Sequence, residues 1–451
     1  MHFRESIAVI AVLASCVLVG LAPQSAWCAA PGALRAGAAK VDITPTDLTG
    51  IVSVWAKPFE SVHDPIFARA LVVDNSAASV AIVSTDLVEF GNTLALRQRI
   101  EREIGIKADH VIIAASHDHN APRGGPPTPG TSSAEGRPAS PPAYTQFIDD
   151  QIVETVRRAK ASLQPARFGV GRGRADVNVN RIIFTPQGIR TGVNLDGPSD
   201  KTVWVVKFES LSGEPIALLL NYAVHSVVAG SGNPQITGDL AGAVERYVER
   251  QFQGKVVALW TMGPAGDQNP RVNLSVPGMG RSGDQANDIA LSYEAMEAQG
   301  LLIGAEAVRV AGEIGRMSNA ARIVAAERVF SCATKPTTIG GRPGGGGGGP
   351  VNPGPPQPRP EKMDVRLSLI LIDKLAITSV SGEVFTNIYL RLKKASPFTN
   401  MFMITIANDR IGYIADSAHY EVTGDPLVRG CGEEGIVNNL LEMMEQLSRQ
   451  P

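Results

Sequence analysis

His117, Asp118 and His119 end the apolar run Val111-Ile112-Ile113-Ala114-Ala115 and lead into Asn120-Ala121-Pro122-Arg123-Gly124-Gly125. The chain has only seven histidines, and imidazole is the side chain that both ligates metals and moves protons near neutral pH. Two of them at i,i+2 beyond a β-branched run read as neighbours on one side of a strand end, a common place for active sites in α/β folds. The structural alternative is a pair of hydrogen-bonded core imidazoles. His225 stands at a second such position, in Asn221-Tyr222-Ala223-Val224-His225, after the apolar run 216–220. Glu383 follows Ser381-Gly382 beyond the run 376–380, and Tyr413 lies in Ile411-Gly412-Tyr413-Ile414. Two imidazoles, a carboxylate and an oxygen donor, far apart in the chain but all at strand ends, can close on one Zn²⁺ and leave a position for water.

The elements that must carry these residues are legible from periodicity. Apolar runs predict strands over 70–73, 79–84, 111–115, 202–208, 216–222, 256–260, 365–372, 376–380 and 402–407. Helical spacing of apolar residues predicts helices over 93–104, 144–163 and 239–252, with another near 384–394. Alternating strands and helices imply an α/β fold, a layered domain with a mixed β-sheet core and flanking helices.

Other polar residues have plainer readings. Asp239 after Thr237-Gly238 reads as a helix N-cap, and Asp267 as an Asx-type turn residue bordering the site. Asp86 follows a strand and suits an outer partner of a histidine, while Arg69 suits a carboxylate partner. His63 reads as structural or as such an outer partner, and His110 and His419 as surface residues.

Composition bounds the rest. With 44% apolar and 19% charged residues the chain is globular, and a net charge of −2 with no long basic run leaves no footprint for nucleic acid. Residues 1–30 combine an early arginine, the apolar stretch 7–22 and small residues before Ala29-Ala30, the layout of a cleaved signal peptide and hence of a secreted or periplasmic protein. Cys16 in Leu13-Ala14-Ser15-Cys16 looks like a lipoprotein box, but the apolar run continues beyond it, which favours cleavage near 28–30. The mature chain, 31–451, then keeps Cys332 and Cys431, as one disulfide or as two buried thiols. A Gly/Pro-rich segment at 340–360, with six consecutive glycines, reads as a flexible excursion. A milder Pro/Gly/Ser bias at 121–142 directly follows the histidine pair, as a lid or a long loop.

Six ordered stretches carry a resemblance. They are Ala36-Gly37-Ala38-Ala39-Lys40-Val41-Asp42-Ile43-Thr44-Pro45; His63-Asp64-Pro65 with Ala68-Arg69-Ala70; Ala115-Ser116-His117-Asp118-His119; Asn180-Arg181; Asn221-Tyr222-Ala223-Val224-His225; and Ala265-Gly266-Asp267-Gln268-Asn269-Pro270. Together the chain resembles the catalytic domain of the neutral/alkaline, non-lysosomal ceramidases. The resemblance implies a zinc-dependent amidase that splits ceramide into a sphingoid base and a fatty acid, with one Zn²⁺ per chain. It places the metal ligands on His117, His225, Glu383 and Tyr413, and the substrate-polarising and acid/base roles on His119, Arg181 and Tyr420. The chain is shorter than the family between Tyr413 and the second tyrosine, and it ends about where the family's additional C-terminal β-sandwich domain would begin. The family's Gly-Asp-Val-Ser-Pro-Asn motif is here Gly266-Asp267-Gln268-Asn269-Pro270-Arg271. Asn269 cannot attack a carbonyl, so metal-bound water is the expected nucleophile, and the Asn269 amide is left to line the pocket.

Residue types suit amide hydrolysis, which needs a metal to lower the pKa of water and donors to hold the tetrahedral oxyanion. His119 would take and return the proton, while Arg181 and a tyrosine steady the oxyanion. Three functions stay open at this stage. They are a zinc amidase acting on ceramide or a related N-acyl lipid, a zinc hydrolase of the same fold acting on another N-acyl amine, amide or ester, and a non-catalytic envelope binding protein. A lipid substrate leaves room for peripheral membrane contact; no protein partner is implied.

Overall fold

The computed structural model describes residues 32–125, 140–186, 188–273, 284–335, 360–420 and 425–449. The signal-peptide expectation, residues 126–139 of the Pro/Gly/Ser segment and nearly all of the Gly/Pro segment at 340–360 lie outside them. Among the described residues no helix is long and apolar enough to cross a membrane.

An eight-stranded sheet runs in the order Val257–Met262, Pro215–Tyr222, Thr202–Ser210, Gln164–Arg174, Arg35–Asp42, Phe67–Asp74, Ser79–Thr85, Val111–Ala115. A second sheet has the order Ile323–Ala333, Lys362–Ile372, Leu375–Val380, Asn400–Thr405. Strands predicted as single apolar runs are buried on both faces because they lie between layers. On the large sheet, Leu71, Val73, Ile82 and Trp204 face Ile370, Ile377 and Phe402 of the second sheet. The opposite faces pack on helices: Pro142–Ala161, Asp239–Gln251 and Gln285–Glu313 cover the large sheet, and Thr386–Ala395 and Cys431–Ser448 cover the small one. The result is four layers, helix, sheet, sheet, helix. The expected mixed sheet is present, and a second sheet is stacked on it.

Within the two large sheets, parallel pairing occurs in three places: Ser79–Thr85 with Val111–Ala115, Pro215–Tyr222 with Val257–Met262, and Leu375–Val380 with Asn400–Thr405. Parallel strands need a crossover, and each pair has one, through Leu94–Ile104, Asp239–Gln251 and Thr386–Ala395 respectively. The edge strand Val257–Met262 comes against the opposite side of the same sheet, where Ser84 Oγ, on the strand next to the other edge, donates to the Trp260 carbonyl. Asn400–Thr405 sits across this seam: Asn221 Nδ2 donates to the Met403 carbonyl at 3.0 Å, and Thr405 Oγ1 to the Gly263 carbonyl at 2.8 Å. On the far side Asn408 brackets Val111–Ala115, accepting from Ile113 N at 2.8 Å and donating to the Val111 carbonyl at 3.0 Å. All three parallel pairs are thereby gathered at one place.

Elements missed by periodicity have physical reasons. Gln164–Arg174 carries Gly169, Gly171 and Gly173 on alternate positions, so no apolar pattern marks it. The glycines admit the end of Gln285–Glu313 and the residues after it: a Cβ at Gly171 would lie 2.5 Å from Val310 Cγ1. Gln285–Glu313 itself has little apolar asymmetry, since small residues dominate its buried face. Cys332 and Cys431 form a disulfide joining Ile323–Ala333 to Cys431–Ser448.

Arg69, almost fully buried, has its Nη1 2.9 Å from Asp86 Oδ2 and 2.7 Å from Glu245 Oε2. Asp86 also accepts from Phe67 N at 2.8 Å. The expected carboxylate partner of Arg69 is therefore Asp86. The expected histidine partnership of Asp86 is overturned, because both of its oxygens are committed to Arg69 and Phe67. Arg69→Met should cost about 3–5 kcal/mol, as removal of one partner leaves buried carboxylates uncompensated. Urea unfolding at neutral pH reads it, and a loss below about 1 kcal/mol would mean the network is solvated.

Candidate metal and catalytic site

Each donor leaves the C-terminal end of a strand in one of the parallel pairs. His117 and His119 follow Val111–Ala115, His225 follows Pro215–Tyr222, Glu383 follows Leu375–Val380, and Tyr413 comes after Asn400–Thr405. The i,i+2 histidines do not converge by strand alternation, because the strand stops at Ala115 and His117 adopts φ 60°. That left-handed turn, costly for a side chain with a Cβ, brings His117 Nε2 to 3.1 Å from His119 Nε2.

Glu383 Oε2 lies 3.2 Å from His225 Nε2 and 3.3 Å from His117 Nε2. Ligating nitrogens of His117, His119 and His225 all fall within 4.8 Å of one another. His117 Nδ1 donates to the Val88 carbonyl at 2.7 Å and His225 Nδ1 to the Gln268 carbonyl at 2.9 Å. Those bonds fix both ring protons on Nδ1 and leave the Nε2 lone pairs aimed at the carboxylate oxygen.

Burial opposes ionisation of Glu383, but His117, Arg410 and His225 outweigh it and hold its carboxyl well below the usual range. Burial, reinforced by Arg181, pushes His225 down to about 3, and burial with the two neighbouring imidazoles pushes His119 well below its ordinary value. Two imidazole nitrogens and a carboxylate oxygen thus converge on one point in a buried site. That donor set fits a divalent cation.

A pH effect on stability follows. Burial pushes folded His225 down to about 3, against about 6.5 for a free imidazole, so the unfolded chain binds more protons between those values. Glu383, depressed in the same sense, adds its own loss below the usual carboxylate range. Melting of chelated protein should be flat above about pH 6.5 and fall as pH drops toward 3. A midpoint independent of pH down to about 4 would contradict the buried neutral imidazole.

Around the donors, Arg181 Nη2 lies 3.0 Å from the Tyr413 hydroxyl and 2.7 Å from the Gly266 carbonyl, and Arg181 Nη1 donates to Asn269 Oδ1 at 3.2 Å. Glu383 and Tyr413 are register partners in a short parallel bridge. Trp55 meets the His119 ring edge-on, with centroids 5.5 Å apart.

Several expectations need correction. The Tyr420 hydroxyl donates to the Leu427 carbonyl at 2.9 Å and Lys335 Nζ lies 3.5 Å from its ring centroid, so it is engaged away from the donor cluster. Asp267 makes a long-range staple where an Asx turn was expected. It accepts from Thr386 N and Oγ1 at 3.0 and 2.8 Å, capping the helix after Glu383, and from Asn180 Nδ2 at 2.9 Å. Asp239 accepts from Val228 N and Ala229 N, both at 3.0 Å, and so braces the loop after His225 more than it caps its own helix. His63 stacks on Tyr293 and pairs with Asp64. His110 and His419 are half-buried, and His419 pairs with Asp416.

Sequence reasoning passed over Glu89, Arg123 and Arg410. Arg410 Nη2 lies 2.6 Å from Glu383 Oε1, and its Nε is 2.8 Å from Glu89 Oε2. Arg123 Nε holds Glu89 Oε1 at 3.0 Å. Their one signal was position: all three follow strands of parallel pairs, as the donors do.

The family model for the neutral/alkaline non-lysosomal ceramidase N-terminal domain matches residues 35–324. The chain belongs to the neutral/alkaline non-lysosomal ceramidase family. The neutral ceramidase of Pseudomonas aeruginosa is 28% identical over 283 residues, covering 60% of this chain and 41% of that protein. The neutral ceramidase of Drosophila pseudoobscura pseudoobscura is 24% identical over 303 residues, covering 63% and 41%. The chain thus aligns with about two fifths of the length of these ceramidases. Among solved structures, the neutral ceramidase from Pseudomonas aeruginosa matches with TM-score 0.73 at 20% identity, over 94% of this chain and 75% of that one. A structure described as ceramidase complexed with C2 matches with TM-score 0.74 at 19% identity, over 94% and 76%. The fold is shared with both, well beyond the stretch matched by the family model.

Proposed function

We propose that this ceramidase-family protein is an exported zinc-dependent amidase that hydrolyses the N-acyl bond of ceramide or a related N-acyl sphingoid lipid. The observation that carries the reading is the convergence of His117 Nε2, His225 Nε2 and Glu383 Oε2 on one point, a donor set that fits a cation. Nitrogen and carboxylate donors suit zinc, with Tyr413 as the fourth ligand. Zinc, when bound, supplies a water of lowered pKa and polarises the scissile carbonyl. His119, neutral at working pH, accepts the proton of the attacking water and returns it to the departing amine. Arg181, whose Nη2 lies 3.0 Å from the Tyr413 hydroxyl, steadies the developing oxyanion. Asn269 offers no nucleophile, and its oxygen serves Arg181.

Two further features support the reading. The Cys332–Cys431 disulfide suits an oxidising compartment, as export requires. Phe184, on the hairpin that carries Arg181, and Leu195, just after that hairpin's second strand, are 61% and 69% exposed and suit contact with a lipid aggregate or membrane surface.

The test is metal analysis of purified protein with turnover of a short fluorescent ceramide, with and without chelator. One zinc per chain and chelator-sensitive cleavage are expected. Zinc without ceramide cleavage, but with cleavage of another N-acyl amine, would transfer the chemistry to that substrate; absence of bound metal would end the reading.

A further inference from the structure

We propose that Arg410, held by Glu89, is a positioning residue that makes Glu383 a one-oxygen metal donor and so keeps a coordination position free for the reaction. The inference rests on the metal reading above.

Glu383 is fully buried and its two oxygens face different partners. Oε2 alone points at His117 and His225, while Oε1 lies 2.6 Å from Arg410 Nη2. A carboxylate left to itself can turn both oxygens to a cation, and a charge-assisted bond to one of them opposes that. Arg410 cannot swing away, because its Nε faces Glu89 Oε2 at 2.8 Å, and Glu89 is held in turn by Arg123 Nε at 3.0 Å. Glu89, Arg123, Arg410 and Glu383 are all at most 6% exposed, so two cations and two anions alternate in a place where none can be left unpaired.

The same short segment also serves the other donor. Val88, next to Glu89, gives its carbonyl to His117 Nδ1, so residues 88 and 89 orient His117 through the backbone and Glu383 through Arg410. Gly124 N donates to the Glu89 carbonyl at 2.9 Å and Val88 N to the Pro122 carbonyl at 3.1 Å, which fixes the segment against the chain beyond the histidine pair. A planar guanidinium fork holds two carboxylates in a fixed geometry that lysine's flexible ammonium does not reproduce.

The test compares the full chain with Arg410→Lys and Glu89→Gln, each stripped and reloaded with Co²⁺. It reads metal affinity by chelator competition, the visible Co²⁺ spectrum, the melting midpoint of the metal-free protein, and kcat against KM. Lysine keeps the charge but loses the rigid fork; glutamine keeps the shape but loosens the hold on Arg410. Expected are a roughly 10- to 100-fold fall in metal affinity and a weakened visible Co²⁺ band, as coordination number rises. kcat should drop with KM little moved. Unchanged affinity and spectrum in both variants would overturn the proposal. So would a change in Arg410→Lys alone that merely tracks a lowered melting midpoint while Glu89→Gln stays native in metal binding. If the parent chain takes up no Co²⁺, the metal reading itself fails and the positioning role falls with it.

Discussion

Alanine at His225 is expected to abolish metal retention and, with it, turnover. The ring is fully buried, its Nδ1 is tied to the Gln268 carbonyl, and its Nε2 is one of two imidazole nitrogens on Glu383 Oε2. Nothing else in the loop after Pro215–Tyr222 can replace that nitrogen, since Asp239 pins the following residues by Val228 N and Ala229 N. Loss of outer partners at metal sites already costs about 10–100-fold, so loss of a donor should exceed about two orders of magnitude in affinity and rate. Elemental analysis with steady-state kinetics reads both. A variant that keeps stoichiometric metal and activity would remove His225 from the donor set.

Alanine at His119 should behave differently: metal stays, and turnover falls by about 10²- to 10⁴-fold, the share of a general acid/base. Although the His119 nitrogens fall within the same cluster, the ring lacks what marks the other two. His117 and His225 each give Nδ1 to a backbone carbonyl, whereas His119 is partly exposed and is positioned by ring contacts with Trp55 and His117. A ring oriented in this way can move between water and substrate. If the variant instead loses its metal while remaining folded, His119 is a third nitrogen ligand and another residue must carry the proton.

Much of the site could be read from one dimension because its members share an address. His117, His119, His225 and Glu383 each follow an apolar run, and those runs became strands of the predicted place and nearly the predicted length. A strand buried on both faces must be continuously apolar, so its end is announced by the first polar residues. Arg410 and Glu89 carried the same address, but a charge gives no hint whether it will face solvent or a buried partner. The assignments for Asp86, Asp239 and Asp267 failed for a related reason: each was read through its neighbours in sequence, and each is satisfied by groups 10 to 119 residues away.

Residue order alone therefore specified the α/β alternation, the strand ends and the side chains able to bind a cation and move a proton, because burial pattern and chemical type are local properties. Folding alone decided that two sheets would stack, that one edge of the large sheet would come against its other side, and that Asn400–Thr405 would lie across the seam. Those are contacts between surfaces that no local pattern encodes. They bring His117, His225 and Glu383 within 3.3 Å of a shared oxygen, although His117 and Glu383 are separated by more than half the chain.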